Sequence, residues 1–211
     1  MLKRLFKGMK ITFFVITILC LSITLNAQIL KPNTIDSTDY YYQIPAYPET
    51  YTATSVTART IDGLGFRYYW ATEGLRQEDL DFKPSEEART LNQTLDHIYD
   101  LTLIVYNAVA GIVNENNESA DKWSYVDKRD KTLENIKLIS ELLKSSSDQD
   151  MNNFNAIFKR GEKTTEFPFW NMLNGPIEDA VWHIGQVVTF RRSSGNTLNS
   201  KASMLNGKLK N

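Results

Sequence analysis

Residues 88–112 read Ala88-Arg-Thr-Leu91-Asn-Gln-Thr-Leu95-Asp-His97-Ile98-Tyr-Asp-Leu101-Thr102-Leu-Ile-Val105-Tyr106-Asn-Ala-Val109-Ala-Gly-Ile112. Leu91, Leu95, Ile98, Leu101, Thr102, Val105, Tyr106 and Val109 recur at steps of three and four, the signature of one buried helix face. Three other segments carry the same period. One starts near Ser55 and places Ile61, Leu64, Gly65, Tyr68, Tyr69, Thr72 and Leu75 inward, ending at Gly74 and the turn Asp81–Ser85. The next starts near Asp127, carries Leu133, Ile136, Leu138, Ile139, Leu142 and Leu143, and stops in Lys144-Ser-Ser-Ser-Asp148; the apolar piece Met151 to Phe158 reads as its extension. The last ends at Arg191-Arg192-Ser-Ser-Gly195, with cations in the final turn and a glycine suited to a left-handed cap. No segment alternates as a strand should. The expected fold is all-α, a four-helix bundle over residues 55–195.

The flanks read differently. Residues 1–27 combine Lys3, Arg4, Lys7 and Lys10 with the apolar run Ile11–Leu25 and a small residue, Ala27, which is the layout of a secretory signal peptide. That run is short of the roughly 20 residues needed to span a bilayer. Export is therefore expected, to the periplasm first and the exterior second, with no membrane attachment after cleavage. Residues 28–54 form an expected extended arm with Pro32, Pro45, Pro48 and five tyrosines (Tyr40, Tyr41, Tyr42, Tyr47, Tyr51), aromatic faces packed and hydroxyls wet. Residues 196–211 read as a polar, loosely held tail.

The leader holds four of the 24 Lys+Arg and none of the 25 Asp+Glu, so the remainder carries 20 cations against 25 acids, net −5. A mildly acidic chain without a basic stripe is a poor nucleic-acid partner. The single cysteine, Cys20, lies in the leader. The mature part thus has no thiolate nucleophile, no Cys metal ligand and no disulfide, and rests on core packing alone.

The chain has two histidines. His183 follows Asp179 by four residues in Asp179-Ala-Val-Trp-His183-Ile-Gly-Gln186, so acid, imidazole and Gln186 share one helix face. His97 sits on the second helix. If these helices pack side by side, two imidazoles meet one carboxylate, a set suited to zinc or another divalent first-row metal. Pro176 and Asn174 offer a second account of Asp179, as a first-turn acid behind an Asn cap.

Three stretches together, Asp62-Gly-Leu-Gly-Phe-Arg67-Tyr-Tyr-Trp70, Thr94-Leu-Asp-His97-Ile-Tyr-Asp-Leu101 and Trp170 to Arg192, resemble the DinB-like (YfiT-like) superfamily over residues 55–196. The most specific part is His183-Ile-Gly-Gln186 followed by paired arginines and Gly195-Asn196. The resemblance implies a four-helix bundle of unusual connection order. It also implies a divalent metal on three histidines, one on the second helix and two spaced by four on the last. His97 and His183 match two of these; Asp179 stands where the third histidine is expected. Such proteins include small-thiol transferases and metal-dependent hydrolases.

The expected activity is hydrolysis of a small molecule by metal-bound water, with Gln186 either positioning that water or holding His183. Zinc is the first choice, with iron, nickel or manganese as alternatives. Thiol transfer ranks lower, because export removes the chain from the cytosolic thiol pool. The rival is a non-catalytic bundle that binds a small ligand or a partner, including a second copy as a homodimer. Arg67 is a weaker candidate for contact with an anionic substrate, Arg191 and Arg192 read as a helix C-terminal pair, and Trp70, Trp170 and Trp182 as core.

Overall fold

Helix boundaries follow the capping chemistry. A computed structural model describes residues 40–117 and 119–210, which lie in one compact unit spanning Asp36–Asn211. The leader and residues 28–39 of the arm fall outside the described residues. Helix α1 is Ala53–Thr72, started by a Thr52–Ser55 capping box. A short α2, Gln77–Leu80, precedes α3, Leu91–Ala110, which has a Thr90–Gln93 capping box and a left-handed Gly111 at its end. Helix α4 is Tyr125–Ser145, capped by Ser124. The last helical run is α5, Trp170–Met172, a π-turn Leu173–Ile177, and α6, Glu178–Ser193.

The chain is predominantly helical, and α1, α3, α4 and α6 share one core. Helix α1 packs mainly on α4 and α6, and α3 also packs mainly on α4 and α6. Consecutive long helices α1 and α3 are therefore not principal neighbours, nor are α4 and α6. The core joins Ile61, Leu64, Phe66 and Tyr68 of α1 to Leu91, Leu95 and Ile98 of α3, Leu133, Ile136 and Ile139 of α4, and Ile184 and Val187 of α6.

Helix α1 is buried nearly all round, which requires a cover on its outer side. The arm supplies it. Tyr41 is fully buried against Gly65, where an added Cβ would lie 2.5 Å from the tyrosine ring. Trp70 donates its indole N–H to the Tyr42 carbonyl at 3.2 Å. The Tyr41 hydroxyl is not wet: it donates to Asp62 Oδ1, which also accepts from Ser140 at 2.6 Å, while Lys144 reaches Oδ2 at 2.8 Å. Burial, and then the Asp62 charge, push the Tyr41 phenol far above its ordinary pKa.

Several expectations need correction. Met151–Phe158 does not extend a helix. It passes through a 3₁₀ turn into β1, Ala156–Arg160, which pairs antiparallel with β2, Lys163–Phe167, around Gly161 at φ +60°. The tail carries a small hairpin, β3 Ala202–Ser203 with β4 Lys208–Leu209, and the Gly207 carbonyl accepts from the Ile44 N–H at 2.7 Å. Trp70 is core, but Trp170 and Trp182 are 77% and 72% exposed. The buried stripe of α6 runs Ala180, Ile184, Val187, Arg191. Trp182 lies two residues from the nearest of these, about 200° round the helix, and so points outward.

Arg191 is more than a C-terminal charge. It is 3% exposed and donates to the carbonyls of Trp70 at 3.1 Å and Ala71 at 2.9 Å, satisfying the last turn of α1. Asn196 holds it in place and donates to Asp79, a fully buried carboxylate also bound by Arg76 and Ser194. Burial alone would raise the Asp79 pKa, but these donors hold it well below the usual carboxylate range. Arg192 is exposed. Arg191 and Asn196 thus form a structural joint between α1, α2 and α6.

Candidate metal centre

Helices α3 and α6 pack against each other, and the π-turn before α6 packs on α3 as well. That turn contains Gly175 at φ −104°, ψ −105° and Pro176, which has no N–H to continue the helical ladder. Asn174 is not the cap of α6. Its position lies inside the π-turn, and Ile177 stands at the helix start without a side-chain cap. The break sets Asp179 in the first turn of α6, where the helix dipole favours an acid.

Asp179 also faces both histidines. Its Oδ2 lies 3.4 Å from Nε2 of His97, and its Oδ1 lies 3.3 Å from Nε2 of His183. The two rings stand edge to face, 4.7 Å between centroids. One ligand atom from each of the three residues falls within 4.8 Å of the others. Donors 2.0–2.1 Å from a tetrahedral zinc are about 3.3–3.4 Å apart, so each imidazole, measured to its own carboxylate oxygen, stands at the length of such an edge.

Nδ1 of His183 lies 2.8 Å from the Gln186 amide oxygen, so Nδ1–H donates there and Nε2 is left to face Asp179. A proton or a metal ion between Nε2 and the carboxylate oxygen would satisfy both. His97 is held below its ordinary pKa, by burial first and then by the charges of Arg89 and His183, against the pull of Asp179. It is therefore neutral at neutral pH, as a metal ligand must be. The three residues are half-buried. The cluster could hold a metal ion.

Of the expected site residues, the structure brings together His97, Asp179, His183 and Gln186. Gln186 touches His183, so of the two roles considered for it, the contact seen is the one that orients the ring. Arg67 does not join them. It donates to the Gly63 carbonyl of its own helix at 3.0 Å.

Sequence reasoning missed Asp100, three residues beyond His97. It lines a cleft of about 610 Å³ together with Ile104, the loop Asn114–Asn117, and Lys159 and Arg160 of β1. The spacing His97-x-x-Asp100 mirrors His183-x-x-Gln186 and was the available signal. Comparison with family models, with curated proteins and with solved structures returns no match to this chain. Among the described residues no helix is long and apolar enough to cross a membrane.

Proposed function

We propose that this chain is an exported four-helix bundle of DinB-like type that binds a divalent metal ion, zinc first, and hydrolyses a small molecule. One observation carries the reading: two Nε2 atoms sit at tetrahedral-edge distances from the two oxygens of a single carboxylate, one of them with its proton committed elsewhere. The helix pairing adds support, since an order in which α1 and α3 are not principal neighbours is an unusual connection for a bundle.

In this reading His97, Asp179 and His183 hold the ion, and Gln186 fixes the tautomer of His183. A zinc ion with two imidazole ligands and one carboxylate keeps an open position, from which it polarises a carbonyl and acidifies a water molecule. The cleft that Asp100 lines, whose walls include none of the three ligands, has the volume of a small-molecule site. Its walls mix Asn114, Asn116 and Asn117 with Asp100, Glu115, Lys159 and Arg160, which suits a polar substrate.

The test is a panel of small esters, amides and lactones, each with and without a small thiol, on the zinc-loaded chain. Turnover that chelation abolishes and zinc restores supports hydrolysis. Turnover only with an added thiol supports transfer instead. A metal-loaded chain inert toward every class leaves a binding module.

A further inference from the structure

We infer that Asp100 is a positioning residue for His97, standing to that ring as Gln186 stands to His183. The inference rests on the metal-centre reading above and extends it to the second imidazole.

The argument begins with what each ring lacks. Both histidines turn Nε2 toward Asp179, which leaves each Nδ1 to be satisfied from its own helix. On α6 this is done by the residue three positions on, at 2.8 Å. On α3 the residue three positions on is Asp100. Helical side chains lean toward the N-terminus, so a residue at i+3 reaches back over residue i. Among the described residues no hydrogen bond or ion pair engages the Asp100 carboxylate, although it lies on the wall of a cleft. The bond is not made as the side chains stand. The inference requires Asp100 to turn about its Cα–Cβ bond toward the His97 ring.

The chemistry calls for this partner. A carboxylate accepting from Nδ1–H orients the ring and strengthens Nε2 as a donor, as in carboxylate–histidine–zinc triads.

The test compares the full chain with Asp100→Ala and Asp100→Asn. Zinc affinity is read by competition with a chromogenic chelator, and the His97 tautomer by ¹⁵N NMR. Asp100→Ala should weaken zinc binding about ten- to a hundredfold and change the His97 tautomer population. Asp100→Asn should stay close to the parent, because its amide oxygen accepts the same proton. Asp100 is exposed, so both variants should keep the parent melting temperature. Zinc binding by Asp100→Ala as tight as the parent's, with the tautomer unmoved, overturns the inference alone. Equal weakening in Ala and Asn also overturns it, since a pure charge effect would act that way. A parent chain that binds no zinc overturns the metal-centre reading and this inference together.

Discussion

Nδ1 of His183 lies 2.8 Å from Oε1 of Gln186, one turn away on the same helix. The contact leaves the opposite ring nitrogen facing Asp179. Gln186 should therefore control affinity without itself being a ligand. Gln186→Ala is expected to bind zinc about ten- to a hundredfold more weakly at unchanged stoichiometry, measured by chelator competition. Unchanged affinity would remove Gln186 from the centre.

The pH dependence follows from His97. Its pKa is lowered from 6.5, so a proton competes with a metal ion less than at an ordinary histidine. The His97 part of the acid loss of zinc affinity should therefore set in at a lower pH than an ordinary histidine would give. Metal-free stability has the same sign. Above pH 6.5 His97 is neutral folded or unfolded; below it the unfolded chain takes up the proton first, so stability declines as pH falls toward the folded value. Urea midpoints from pH 5 to 8 check this, and a His97→Gln variant should flatten the acid limb.

The joint at the other end of α6 should matter for stability alone. Arg191→Met strands the carbonyls of Trp70 and Ala71 that the guanidinium now satisfies. The expected cost is about 2 kcal/mol, read as a lower denaturant midpoint with zinc content unchanged. Asp79 adds an acid limb. Its pKa is depressed in the fold, so its contribution is present above the ordinary carboxylate value and lost as pH falls through the folded one.

Gly65 should be intolerant for a steric reason. A methyl group there would lie 2.5 Å from the ring of Tyr41, which is wholly buried and cannot swing aside cheaply. Gly65→Ala is expected to expel Tyr41 and cost about 1–3 kcal/mol. Restored stability in Gly65→Ala with Tyr41→Ser would identify the collision as the cause. Trp70, whose indole is tied to the arm, supplies a fluorescence signal for the displacement.

The four long helices were legible because Leu91, Leu95, Ile98 and their counterparts repeat at the helical period over whole segments. The meeting of His97 with Asp179 and His183 was legible too, because it needs only that α3 and α6 be neighbours with those faces inward. The hairpin was not. Ala156–Arg160 grades from buried to exposed instead of alternating, so the strand period is absent from the sequence. Trp170 and Trp182 misled because residue type suggested burial, while the phase of α6 decided otherwise. Asp62 was invisible as a core residue because its partners Ser140 and Lys144 lie 78 and 82 positions away. An arm laid over the domain with packed aromatic faces was legible in its tyrosines; which helix it covers was not, since only the all-round burial of α1 demands that cover.

The central claim is that His97, Asp179 and His183 form one metal centre. Elemental analysis of the purified chain, beside His97→Ala and Asp179→Ala, tests it most directly. The account predicts one zinc per parent chain and none in either variant, with all three folded. A parent without any divalent ion, or variants that keep the full complement, would contradict it.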